Sequence, residues 1–196
     1  MASVGQTYER VSEGLPLGRR SPRGQLRWYL VRCHEGREQD TCAKVRQIVP
    51  AELLQDAFVP RKERQRKYHG QWQTDVVPFF AGHFVVATTD APALSRALAQ
   101  LSFGVQMVGA VGRGYQPISR DAQRVLTEAM DQSHVVRLSW GEVVEDKLHV
   151  QGGPLVGKED SVAHFVRRKS FASVRVGEGD GAAAMLTMPL AIVARR

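Results

Sequence analysis

The sequence of 196 residues predicts an α+β fold, with helices laid on an antiparallel sheet and a small all-β barrel behind them. Three observations carry this expectation. Residues 26–130 mix β-rich runs with segments of helical apolar periodicity, the signature of helices covering an antiparallel sheet. From about residue 142 the helical period disappears, and short strands follow one another between Gly-rich turns. At 43% hydrophobic and 24% charged residues, the composition is that of a globular chain with enough apolar side chains for one or two small cores.

The elements follow in chain order. Residues 1–25 mix Gly, Ser, Pro and Arg without periodicity and read as a disordered basic tail. Arg27-Trp28-Tyr29-Leu30-Val31-Arg32 is a first strand. From Glu38 to Val49, the positions Cys42, Val45, Ile48 and Val49 share a helical face, and Pro50 ends the helix.

Ala57-Phe58-Val59-Pro60 opens a second strand that turns abruptly basic, since five of the seven residues Arg61–Lys67 are Lys or Arg. With Tyr68, His69, Gly70 and Trp72 this reads as a hairpin whose tip projects cations and aromatics. Two readings of it stand: a surface for a nucleic-acid backbone with unstacked bases nearby, or an edge hairpin kept from sheet-to-sheet pairing by its charges.

Val76 to Thr88 is the most apolar and aromatic run, too short for a bilayer and read as a buried central strand. Its Phe79, Phe80 and Phe84 exceed what one strand face buries, which predicts an apolar surface awaiting a partner. Asp90 caps a helix with Pro92 in its first turn and Leu94, Ala97, Leu98 and Leu101 on one face. A short strand over Gly104–Gly109, a turn at Gly112–Gly114 and a helix capped by Ser119 close the first domain. Residues 131–141 read as a linker, within which Val135, Val136 and Leu138 suggest a segment that docks. Residues 142–196 then hold strands around Leu148 and Val150, Ser161–Val166, Phe171–Val176 and Ala184–Met188, with a basic turn at Arg167-Arg168-Lys169.

A net charge of +7 favours a polyanionic partner, because neutralising phosphates releases counterions. The two cysteines, Cys33 and Cys42, fit no zinc or redox spacing and are expected as free thiols. No nucleophile elbow, phosphate loop or metal cluster is present, so neither catalysis, cofactor nor metal is expected. Without a membrane span or signal sequence, a cytoplasmic monomer is the expectation.

The frame Leu148-x-Val150-x-x-Gly153-Pro154-Leu155-x-Gly157-x-Glu159, followed by a strand and a basic turn, resembles the KOW motif. Ahead of it Trp28-Tyr29, the basic hairpin, Phe80-Ala81-Gly82-His83 and Val108-Gly109 fall in the order of an NGN domain. Together they resemble the NusG-type transcription elongation factors. Tyr115-Gln116-Pro117-Ile118-Ser119 and the block from His134 to Gly141 are most similar to the LoaP group of operon-specific antiterminators. The sequence departs from the usual family pattern at Ala81 and His83, which stand where Pro and Tyr are customary.

The resemblance implies an NGN domain that grips the clamp helices of RNA polymerase through an apolar pocket, for which Phe79, Phe80, His83, Phe84 and Phe103 are the candidates. It implies that Arg61, Lys62, Arg64, Arg66, Lys67, Tyr68 and Trp72 lie toward upstream DNA. For the KOW barrel it implies either protein contacts or binding of an RNA hairpin, with Lys158, Arg167, Arg168, Lys169 and Arg175 as the basic rim. The expected function is processive antitermination. A general NusG-type factor with a protein-binding KOW domain, and a KOW RNA-binding module unrelated to polymerase, are the alternatives.

Overall fold

The computed structural model describes residues 24–110, 114–177 and 184–195. The tail expected over residues 1–25 lies almost wholly outside them, as do the Gly112–Gly114 turn up to Gly114 and most of the turn from Gly177 to Gly181. By backbone proximity the chain forms two units, Met1–Val59 with Phe80–Gln123, and Pro60–Phe79 with Arg124–Arg196.

The first unit is built on a four-stranded antiparallel sheet. Its strands β1 (Arg27–Arg32), β2 (Asp56–Phe58), β5 (His83–Thr88) and β6 (Gln106–Met107) lie in the order β2-β5-β1-β6. Strand alternation places Val31 opposite Phe84 and Tyr29 opposite Val86, on the face covered by helices α1 (Glu38–Ile48) and α2 (Ala91–Ala99). Cys42, Val45, Leu94 and Leu98 complete that core. On the other face Leu30 and Val85 are fully buried, and the Trp28 and Phe58 rings meet edge-on at 5.0 Å. Strand β5 is therefore buried along its whole length, as expected of a central strand.

Asp90 caps α2, its carboxylate accepting from Ala93 N at 3.0 Å, and Ser119 Oγ likewise accepts from Ala122 N at 3.2 Å at the start of α3 (Arg120–Ala129). Ile48, expected on the buried face of α1, is exposed, because the helix ends there and Val49 turns inward instead. A two-stranded ribbon, β7 (Gly109–Ala110) and β8 (Gly114–Tyr115), follows β6.

The second unit contains the basic hairpin, β3 (Arg61–Tyr68) and β4 (Gln71–Pro78). Its two-residue turn is His69-Gly70 with φ of 47° and 81°, both positive as a primed hairpin turn requires. A short strand β9 (Val135–Val136) runs parallel to β3, so residues 131–141, expected as a linker, instead carry β9 and the start of the next sheet.

That sheet has five strands in the order β11-β10-β14-β13-β12: β10 (Ser139–Val144), β11 (Lys147–Gly152), β12 (Val162–Val166), β13 (Phe171–Val176) and β14 (Ala184–Arg195). The expected strand at Ala184–Met188 and the apolar tail behind it are one strand. Its first half, Ala184–Pro189, pairs antiparallel with β13, and from Leu190 onward it pairs parallel with β10. Val143, Val150, Leu155, Ala172, Val174, Leu186, Met188 and Leu190 are its buried apolar side chains, together with Val176.

The sequence frame around Gly153 has a physical basis here. Gly153 has φ of +91°, and a Cβ at that position would stand 2.5 Å from Ser139 Cα. Ser139 Oγ accepts from Leu155 N at 3.1 Å, and Glu159 Oε1 accepts from Val150 N at 3.2 Å. No helix among the described residues is long and apolar enough to cross a membrane.

The run Val76–Thr88 is not one strand. Pro78 ends β4, and Phe79–Gly82 form a turn before β5. Gly82, at φ +70°, closes it by donating to Glu38 Oε1 at 2.7 Å and accepting from Cys33 N at 2.8 Å. A left-handed glycine and a buried carboxylate from α1 thus convert a continuous apolar pattern into two strands belonging to different units.

Candidate nucleic-acid interface

Register sorts the hairpin side chains into two faces. Arg64 stands opposite Asp75, Arg66 opposite Gln73 and Tyr68 opposite Gln71 on one face; Gln65 opposite Thr74 and Lys67 opposite Trp72 lie on the other. Tyr68 and Trp72, 51% and 54% exposed, therefore point to opposite sides and cannot form one stacking platform.

The cations are not equally available. Arg61 donates to Ser133 O at 2.8 Å, and its Nε is buried. Lys62 Nζ donates to Thr187 O at 3.0 Å and lies 4.6 Å from the Phe79 ring centroid. Burial, with the Arg64 charge adding to it, pushes the Lys62 ammonium down to about 8. Both residues tie the root of the hairpin to the rest of the unit.

Arg66 Nε meets Asp75 at 2.7 Å and Arg64 reaches the same carboxylate at 3.9 Å, so two guanidiniums share one negative charge. Glu63 spends its charge on Arg137 at 3.0 Å and accepts from Leu138 N at 2.7 Å. Lys67 and Trp72 are left exposed on the second face.

The basic turn Arg167–Lys169 is a 3-10 turn closed by Ser170, which adopts the left-handed conformation at φ 48°. All three cations are exposed and form no ion pair among the described residues. Ser170 itself is buried, and its hydroxyl donates to Gln65 Oε1 at 3.4 Å. Gln65 shares its face with Lys67 and Trp72, so this hydrogen bond brings the turn beside that face of the hairpin. Arg175 on β13 is exposed as well. Lys158, by contrast, is paired with Glu128 at 2.7 Å.

The five aromatic and imidazole candidates for partner binding are not displayed together. Phe84 is at the centre of the first core with no exposure, and Phe79, Phe80 and His83 are 7%, 9% and 7% exposed. Phe79 belongs to the second unit, whereas Phe80, His83, Phe84 and Phe103 belong to the first. Phe79, Phe80 and Phe84 of this run are therefore core, whereas Val76 at its start is 46% exposed. His83 Nδ1 lies 2.8 Å from Ala81 O, its Nε2 is buried without a partner, and burial lowers its pKa.

Phe103 alone of the five is half-exposed. It lines an open cleft of about 360 Å³ with His34, Glu35, Arg37, Thr41 and Lys44, the Lys44 ammonium standing 6.0 Å from its ring centroid.

Sequence reasoning passed over Trp140, which is 46% exposed although its β10 neighbours Ser139 and Gly141 are buried. Its ring covers Gly152 on β11, where a Cβ would lie 2.5 Å from the indole. The match of this Trp to that glycine is visible only once the β10–β11 register is known. Cys33 and Cys42 are buried free thiols, both pushed up to about 11 by burial. Among the described residues, no cluster of three His, Cys, Asp or Glu gathers to hold a metal.

No family model and no curated protein matches the chain. Among solved structures it is similar to one described as "Domain interaction in Thermotoga maritima NusG", at 14% sequence identity, covering 86% of this chain and 94% of that one with a TM-score of 0.43.

Proposed function

We propose that the protein is a NusG-type transcription factor whose second unit binds nucleic acid through Lys67, Trp72 and the Arg167-Arg168-Lys169 turn. The observation that supports this reading is the Ser170–Gln65 hydrogen bond, which joins two basic segments roughly a hundred residues apart in sequence on one side of the hairpin. Exposed cations beside a half-exposed indole supply backbone affinity and base stacking, and both are indifferent to sequence. Arg175 extends the positive surface along β13. No covalent step is required of such a factor.

Polymerase binding belongs to the same proposal and is narrowed by burial. An anchor must reach its partner, so the role is assigned to Phe103 and the cleft around it rather than to Phe79, Phe80, His83 or Phe84. Antitermination is the proposed outcome of both interactions, with an RNA hairpin as the ligand of the second unit.

The test is fluorescence anisotropy with an RNA hairpin and with duplex DNA across a salt series. Replacing Arg167, Arg168 and Lys169 by Gln is expected to lower the salt slope by about 2 to 3, at roughly 0.7–0.9 for each phosphate that is no longer neutralised. Replacing Arg64 and Arg66, on the other face and partly neutralised by Asp75, is expected to change it less. Equal effects of the two sets would refute the assignment of the face. A Phe103→Ala protein that still co-purifies with RNA polymerase would refute the cleft.

A further inference from the structure

We propose that the cleft formed by Gln25, Leu26, Arg27, Arg120 and Gln123 is a binding site for a terminal phosphate group, carried on a nucleotide or free as orthophosphate. The cleft has a volume of about 420 Å³, and its described lining residues all belong to the first unit. It is an open, shallow depression in the surface rather than an enclosed pocket.

Two guanidiniums line it, with no carboxylate among the described lining residues, and Asp121 is the neighbour of Arg120 in the first turn of α3. Arg27, at the start of β1, is 8% exposed, and its Nε is buried with no hydrogen-bond partner. A buried guanidinium with an unused donor is costly, since charged groups taken from water are ordinarily paired. Among the described residues, no acceptor meets that one nitrogen. Burial, and then the nearby positive charge of Arg120, lower the Arg27 pKa, with Tyr29 opposing them less strongly.

The second arginine opens α3. Arg120 is exposed, and its Nη2 donates to Gln25 Oε1 at 2.9 Å, which holds the side chain over the cleft. Arg120 is the first residue of a ten-residue helix whose N-terminal end already carries the Ser119 cap on Ala122 N and Asp121 in its first turn. Gln123 is one turn further and commits its amide to Ile118 O at 2.7 Å, leaving its oxygen as an acceptor for a hydroxyl.

Two positive charges are balanced by one dianion, and a guanidinium presents paired donors that match two phosphate oxygens. The terminal phosphate of a mononucleotide or orthophosphate supplies that dianion. A backbone phosphodiester carries a single charge and is the poorer fit.

The experiment is an NMR titration of the full chain at low salt, reading the arginine Nε–Hε signals, with a 5′-mononucleotide, orthophosphate, the parent nucleoside and a dinucleoside monophosphate as probes. The mononucleotide and orthophosphate are expected to shift the Arg27 signal, and the nucleoside is not. Tighter binding of the mononucleotide than of orthophosphate identifies a nucleotide as the ligand; equal binding identifies the phosphate group alone. Arg120→Gln, at an exposed position, is expected to weaken binding about tenfold or more, and Arg27→Gln likewise. Binding unchanged in Arg120→Gln, a nucleoside that binds as well as its phosphate, or a dinucleoside monophosphate that binds as tightly as the mononucleotide would each overturn the proposal.

Discussion

Lys62 offers a test of the hairpin root in which the sign and the size both follow from its surroundings. Its ammonium is half-buried between Thr187 O, at 3.0 Å, and the Phe79 ring, and desolvation pushes it from the ordinary 10.5 down to about 8. At about 1.4 kcal/mol for each pH unit, this difference sets about 3 kcal/mol against the charged form in the folded state. Water still reaches part of the group, so about 2 kcal/mol is the working expectation. The folded value lies below the unfolded one. Between pH 8 and 10.5 the unfolded chain therefore holds a proton that the folded chain has released, and stability rises with pH through that window. Lys62→Met keeps the apolar stem and cannot titrate. Its stability relative to the parent protein, measured by urea unfolding at matched pH, is expected to fall by about 2 kcal/mol between pH 8 and 10. Taking the difference cancels the titration of every other group. A difference that stays level across that range would refute the desolvated ammonium and, with it, the assignment of Lys62 to structure rather than to nucleic-acid binding.

Three further outcomes follow from local geometry. Gly153→Ala places a Cβ 2.5 Å from Ser139 Cα in a backbone conformation at φ +91°, so thermal unfolding should show a destabilisation of about 3 kcal/mol or more, and an unshifted transition would refute the close approach. Glu63→Gln weakens the bonds to both Arg137 and Leu138 N and should cost about 1–3 kcal/mol in urea unfolding; a cost that vanishes in 1 M salt would reduce the carboxylate to a screened surface charge. His83 is buried and its pKa is lowered below 6.5. Its contribution is present above pH 6.5 and is lost as the pH falls toward the folded value, so His83→Phe should flatten the acid side of the stability profile; identical acid limbs would contradict the buried neutral imidazole.

Elements whose cause lies within a few residues were legible in the sequence. Arg27–Arg32 and Phe171–Val176 match their strands residue for residue, and the caps at Asp90 and Ser119 stand where the side-chain chemistry puts them. What was illegible depends on partners distant in the chain. Whether Val76–Thr88 is one strand or two turns on Glu38, more than forty residues earlier, reaching Gly82 N. Val135, Val136 and Leu138 signal that the supposed linker docks, and the structure supplies the partner their apolar character does not name, the edge of β3 that pairs with β9. Ile48 has the periodicity of a core residue but sits in the last turn, where the helix has already left its core.

The candidate site shows the same division in its charges. Five basic residues in seven mark the hairpin as cationic, yet composition carries no information on which face each occupies or which are already paired. Pairing withdraws Arg61 and Lys62 into structure and weakens the field of Arg64 and Arg66 through Asp75. Lys67 remains, and one exposed lysine is a weak ligand for a polyanion. It gains strength beside the Arg167–Lys169 turn, which the backbone bond from Leu190 N to Ser170 O at 3.1 Å fixes on the sheet and which the longer Ser170–Gln65 contact at 3.4 Å links to the hairpin. The affinity of such a surface depends on charge density rather than on any single residue, so the side chain that assembles the charges matters as much as those that bear them. Replacing Gln65 by Ala should accordingly weaken binding in the same salt-dependent anisotropy assay without removing a single charge, and an unchanged affinity would show that the two basic segments act independently.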